Sequence, residues 1–134
     1  MKSGDLFLKI MHPLHILYVE DSVISREIVR TVLTSRGHSV RCAEDGLAGL
    51  RELEATDAFY DVVITDHDMP GLNGLGVAEY LSKTAYQGGV LVHSGAINAT
   101  LMADYKKLGV GHFLEKPTSA AQLLAALDAV FAGI

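Results

Sequence analysis

The stretch Val62-Val63-Ile64-Thr65-Asp66-His67-Asp68-Met69-Pro70-Gly71 decides how the rest of the chain is read. Four β-formers in a row, bounded by a Pro-Gly turn, describe a short strand buried on both faces, the kind found inside parallel sheets. Asp66 closes that strand, and a carboxylate at the rim of a buried strand is costly unless something uses it. In open parallel α/β sheets ligands bind outside the carboxyl ends of the strands, which makes Asp66 a candidate for metal or phosphate chemistry. Taken alone, a solvated acid capping the next turn is the simpler reading.

The elements on either side change that balance. Upstream, His15-Ile16-Leu17-Tyr18-Val19-Glu20 is a strand ending in Glu20-Asp21. Ser22 then precedes a helical spacing of Val23, Ile24, Ile28, Val29, Val32 and Leu33, which Gly37 stops. Ser39-Val40-Arg41-Cys42-Ala43 is a second strand, and Asp45-Gly46 opens a helix carrying Leu47, Leu50 and Leu53. Downstream of the Asp66 strand, Asn73 caps a helix through Val77, Tyr80 and Leu81, and Gly88-Gly89 leads into the strand Val90-Leu91-Val92-His93-Ser94. A helix with Leu101, Met102, Tyr105 and Leu108 ends at Gly109, and Gly111 to Glu115 is a fifth strand. Thr118 or Ser119 caps the last helix, which runs through Leu123, Leu127, Val130 and Phe131. Strands alternating with helices over short connections predict right-handed crossovers and an open, doubly wound α/β sheet.

Composition is compatible with one such domain. The 134 residues are 49% apolar and 20% charged, which excludes disorder, and a net charge of −5 leaves no basic face for nucleic acid. One cysteine, Cys42, rules out an internal disulfide and suits a reducing cytoplasm; it reads as a small apolar filler in a strand. Residues 1–13 contain Leu6-Phe7-Leu8, interrupted by Lys9 and too short for a signal-peptide core or a membrane span, and are expected to be a tail or a start upstream of Met11.

In that architecture the polar residues at the strand ends converge on one edge: Glu20 and Asp21, Asp66, Ser94 and Lys116. Unpaired carboxylates there would raise one another's pKa, and a hard divalent cation such as Mg²⁺ removes the conflict. Lys116 adds a point charge suited to a phosphate or to Asp66 itself. The chemistry this permits is phosphoryl transfer onto Asp66, with the metal and Lys116 neutralising the phosphoryl oxygens and Ser94 donating a hydrogen bond.

With these residues in order, the chain resembles the receiver domain of bacterial two-component response regulators, the single receivers of the chemotaxis-regulator kind included. Ile16 to Asp21, Val62 to Asp66 with Met69-Pro70 and Gly74, then Ser94, then Lys116-Pro117 carry the resemblance, which covers residues 14 to 132. It implies a flavodoxin-like (βα)5 fold with five parallel strands in the order 2-1-3-4-5 over residues 14–134. It also implies that Asp66 is the phosphoacceptor, Asp21 the direct Mg²⁺ ligand, Glu20 an outer acid acting through water, and the Asp68 backbone carbonyl a further metal ligand. Ser94 becomes the switch hydroxyl, Lys116 the phosphate-contacting lysine with a cis bond to Pro117, and Phe113 the aromatic that swings inward when Ser94 moves. The implied partners are a histidine kinase or histidine phosphotransfer domain and a downstream target or dimer contacting the fourth helix, fifth strand and fifth helix, in the cytoplasm and without membrane or nucleic acid.

Several residues depart from the family pattern. Glu20 is one methylene longer than the usual Asp, so metal contact depends on where it reaches. The Asp68 side chain adds negative charge near the acceptor and is expected to tune the lifetime of the phosphorylated state; as a solvated loop acid it would do nothing. Gly95 stands where alanine is usual, loosening the loop after Ser94. His67 and His93 flank the site, but no histidine pair has metal-ligand spacing. The outer face of the last helix, Leu124, Ala125, Ala126, Ala129 and Ala132, is apolar enough to expect a covering partner.

With Ile134 as the last residue, output is expected by non-covalent contact, from a stand-alone receiver or one cut from a hybrid kinase, and no enzymatic activity beyond self-catalysed phosphorylation and dephosphorylation is expected. The alternatives are a scaffolding pseudo-receiver that is never phosphorylated and a haloacid dehalogenase-type phosphatase, whose nucleophile and acid Asp66-His67-Asp68 would mimic. Against the phosphatase, Glu20-Asp21 precedes Asp66 and no room remains for its later acids.

Overall fold

A computed structural model of the chain describes residues 12–55 and 59–134. Five parallel strands, β1 (His15–Val19), β2 (Ser39–Ala43), β3 (Val62–Thr65), β4 (Gly89–Ser94) and β5 (Phe113–Glu115), lie in the order β2-β1-β3-β4-β5. They alternate with α1 (Val23–Ser35), α2 (Gly46–Glu54), α3 (Gly74–Ser82), α4 (Ala99–Lys106) and α5 (Ala120–Ala132). The doubly wound sheet predicted from the alternation is therefore observed, in the strand order that the resemblance implies. The expected tail falls, for residues 1–11, outside the described residues; His12 stacks on Phe131 with ring centroids 5.4 Å apart.

The period of two along β1 sorts its side chains to opposite sides of the sheet. Ile16 and Tyr18 pack with Val29 and Leu33 of α1 and Leu123, Leu127 and Val130 of α5. Leu17 and Val19 pack with Val77 and Leu81 of α3, and α2 contributes Ala48 and Leu53. A third cluster, Ala78, Val92, Tyr105 and Val110, seats α4. All four residues of β3 are buried, as a central strand covered on both faces requires.

Each helix begins on a side-chain cap: Ser22, Asp45, Asn73, Asn98 and Ser119 accept a backbone N–H from the first turn. Gly37 and Gly109, with φ of 88° and 83°, end α1 and α4. In each case the next residue's N–H returns to the last turn, His38 to Leu33 and Val110 to Tyr105, an arrangement that needs the left-handed conformation glycine tolerates.

Two helices differ from expectation in the face they show. In α1 only Val29 and Leu33 are buried, while Val23, Ile24 and Ile28 are 62%, 73% and 59% exposed, so part of the apolar spacing lies outside the core. In α5, Leu124 and Ala126 pack partly against the core beside Phe131, leaving Ala125, Ala129 and Ala132 as the exposed stripe.

Candidate functional site

The sheet order places β1, β3 and β4 side by side, with the direction of winding changing between β1 and β3. Their carboxyl ends are aligned by the register Val19 to Thr65 and Thr65 to Val92. Just past those ends the ladder continues by single bonds that pin the polar residues. The Asp66 N–H donates to Val19 O at 2.9 Å, Glu20 N–H to Ala43 O at 3.0 Å, and Lys116 N–H to Ser94 O at 2.8 Å. Glu20, Asp66, Ser94 and Lys116 thus project from backbone fixed by the neighbouring strand, which is why residues so far apart in sequence meet.

Carboxylate oxygens of Glu20, Asp21 and Asp66 lie within 4.8 Å of one another. Glu20 and Asp66 are buried and Asp21 is exposed. Lys116 Nζ lies 2.7 Å from Glu20 Oε1 and 3.6 Å from Asp66 Oδ2, so its closer partner is Glu20. The sequence suggested Asp66 or a phosphate; the extra methylene of Glu20 lets it reach the ammonium. Among the described residues, two buried side-chain atoms have no hydrogen-bond partner, Glu20 Oε2 and Ser94 Oγ. Burial pushes the Glu20 carboxyl up, Lys116 opposes the shift, and Asp66 adds to it.

An all-oxygen donor set with an orphaned, desolvated carboxylate oxygen fits a hard cation such as Mg²⁺. The one group of potential ligands among the described residues, Glu20, Asp21 and Asp66, contains no histidine. The Lys116-Pro117 bond is cis, as expected. At Gly95 an added Cβ would meet nothing within 4 Å, so the space beside Ser94 is open.

The five parallel strands in this order, with the acidic cluster and Lys116 at their carboxyl ends, match a known family along most of the chain. The family model of the response regulator receiver domain matches residues 16–128. The chain belongs to the response regulator receiver domain family. This receiver is 34% identical over 118 residues to the response regulator MprA of Mycolicibacterium vanbaalenii, covering 88% of the chain and 50% of that protein. It is 33% identical over 117 residues to a protein-glutamate methylesterase/protein-glutamine glutaminase of Myxococcus xanthus, covering 85% of the chain and 33% of that protein. The receiver therefore spans half or less of the length of these relatives. Among solved structures, the chemotaxis protein CheY4 of Vibrio cholerae superposes with a TM-score of 0.81 at 26% identity, covering 88% of the chain and 98% of that one. No helix among the described residues is long and apolar enough to cross a membrane.

Two hydrogen-bonded pairings around the site had no signal in the sequence. The His67 ring meets the buried Tyr105 hydroxyl, Nδ1 to Oη 2.8 Å. His93 bridges Tyr18 Oη at 3.4 Å and Thr118 Oγ1 at 3.0 Å, tying β1 and β4 to the loop after Lys116. Both depend on side chains brought together across the sheet, which local periodicity does not encode.

Proposed function

We propose that this receiver is a phosphorylation switch that takes a phosphoryl group on Asp66 from a histidine kinase or a histidine phosphotransfer protein and passes its state on by protein contact. The observation that carries this is the buried Asp66 carboxylate sharing a pocket with Glu20, Asp21 and Lys116. An Asp66 oxygen attacks phosphorus, the new O–P bond forms as the N–P bond of a phosphohistidine breaks, and the electron pair leaves with the imidazole, which takes up a proton. Asp21, Glu20, Asp66 and the Asp68 backbone carbonyl are the residues that would hold Mg²⁺. When bound, that ion supplies positive charge against the phosphoryl oxygens.

Lys116, already on the Glu20 side of Asp66, can neutralise a phosphoryl oxygen as charge builds there. The unpartnered Ser94 Oγ is free to donate to one, which makes it the switch hydroxyl, with Phe113 following it. The exposed Asp68 carboxylate adds negative charge at the entrance and tunes how long the phosphoryl group survives. Residues 14–134 form the working unit, cytoplasmic, acting on no substrate but itself. The exposed Val23, Ile24 and Ile28 beside Glu20 and Asp21 suit contact with a phosphodonor. The α4, β5 and α5 face, with its alanine stripe, suits a downstream partner or dimer.

Incubation with Mg²⁺ and acetyl phosphate, followed by intact mass measurement, tests the reading. An acid-stable, base-labile phosphoryl adduct is expected on the wild type and not on Asp66→Asn. Absence of an adduct points to the scaffolding pseudo-receiver, and an adduct surviving the substitution places the chemistry elsewhere.

A further inference from the structure

In the β3–α3 loop His67 has three of its polar atoms committed. Its backbone N–H donates to Asp66 Oδ1 at 2.7 Å, its carbonyl accepts from Gly74 N–H at 3.0 Å, and its ring Nδ1 meets Tyr105 Oη at 2.8 Å. Tyr105 is on α4, with no solvent exposure. Its ring stands edge-on to His67 at 5.6 Å and edge-on to Phe113 at 5.9 Å.

Space for the hydroxyl exists only because residue 74 is glycine. A Cβ at Gly74 would collide with the Tyr105 hydroxyl and with the Asp66 carbonyl oxygen. Burial pushes the Tyr105 phenol up, with the Asp66 and Asp68 carboxylates adding to it, so the hydroxyl keeps its proton. A buried protonated phenol needs a partner, and the His67 ring supplies it.

We propose that Tyr105 is a positioning residue of the acceptor site: its hydroxyl holds the His67 ring and thereby sets the His67–Asp68 backbone beside the carboxylate cluster. The inference rests on the phosphoacceptor reading and deepens it. The backbone N–H of His67 binds the acceptor carboxylate directly, and the next carbonyl is the metal ligand assigned above to Asp68. A loop pinned from below meets the cation already ordered; a loop released from Tyr105 must be ordered by the cation. The same contact runs from the acceptor loop through Tyr105 to Phe113, a route to the α4–β5 surface that does not pass through Ser94.

Tyr105→Phe removes only the hydroxyl, and His67→Phe removes only its ring partner while keeping the backbone N–H. Mg²⁺ binding to each variant and to the double variant is measured by titration calorimetry, alongside the Mg²⁺ dependence of acetyl phosphate labelling. Each single change is expected to weaken Mg²⁺ binding about three- to tenfold, the worth of one hydrogen bond. The double variant is expected to lose no more than either single one, since both cut the same bond, and the Mg²⁺ concentration that half-saturates labelling is expected to rise by the same factor.

Wild-type Mg²⁺ affinity in Tyr105→Phe, or single losses that multiply in the double variant, overturns the proposal. A wild type that binds Mg²⁺ but takes no label defeats the phosphoacceptor reading alone, and the calorimetric comparison still decides the role of Tyr105. A wild type that binds no Mg²⁺ overturns the proposal as well.

Discussion

His93 shows how much a single side chain can carry outside the carboxylate cluster. Burial, then Lys116, lowers its imidazole from the ordinary 6.5 to about 4, with Asp66 opposing, so the folded protein holds it neutral between Tyr18 and Thr118. Below pH 6.5 the unfolded chain takes up a proton that the native ring refuses, and stability falls with pH until the native ring also titrates near 4. The loss across that window is about 3 kcal/mol. Denaturant unfolding of His93→Leu and the wild type at pH 7 and pH 4 should show the stability difference moving in the variant's favour by about that amount; parallel profiles would remove the assignment. Gly95 is the opposite case, a residue with room to spare. Its φ is not among the positive ones, which belong to Gly37, Gly71 and Gly109, and a Cβ there touches nothing. Gly95→Ala should therefore stabilise the fold by about 0.4–1 kcal/mol through the unfolded state, read as a higher denaturant midpoint at constant slope. The carboxylates, Ser94 and Lys116 were all legible as residue types at strand ends. That Lys116 sits closer to Glu20 than to Asp66 was not, because it depends on one methylene and the depth of the pocket.

Elements were read well where a cap or a period announced them. Ser22, Asp45 and Asn73 are visible in the sequence as helix starts and Gly37 and Gly109 as stops, while Thr118 and Ser119 compete for the last cap and the structure selects Ser119. The last helix carries a reciprocal capping box, Ser119 to the Gln122 N–H and the Gln122 side chain to the Ser119 N–H. Ser119→Ala should cost about 1 kcal/mol, measured by thermal or chemical unfolding, and Ser119→Asp should recover most of it. Apolar spacing was a weaker guide to facing. Val23, Ile24 and Ile28 share a helix with the buried Val29 and Leu33 yet lie in solvent, since α1 is covered by the sheet on one side only. In α5 the helical period places Leu124 outward, yet it packs partly on the core, because that helix is flanked on the same side of the sheet by α1 residues. Such choices are made by neighbouring elements, and a helical period fixes only which residues share a stripe.

At the scale of the whole molecule, three carboxylates gathered at one end of the sheet are a group whose mutual repulsion a bound divalent cation would relieve. Binding to the native state alone then raises stability by mass action, about 2.7 kcal/mol at a hundred times the dissociation constant, or on the order of 10 °C in thermal midpoint for a domain of this size. Melting with and without Mg²⁺ should show that rise in the wild type and most of it lost in Asp21→Asn; an equal rise in both would mean that the cluster is not where the ion binds. The alternation of strands and helices determined the fold class, since short crossovers between buried strands admit little besides a parallel doubly wound sheet. It also determined which residue types arrive at the carboxyl edge, because each is the last or next residue of its strand. Only the tertiary structure decided their partners: Lys116 with Glu20, the orphaned Ser94 Oγ, His93 between Tyr18 and Thr118, and Tyr105 under His67. Those contacts join residues from different strands and helices over distances of a few ångströms, and such distances are set by how the layers pack, which no local pattern along the chain encodes.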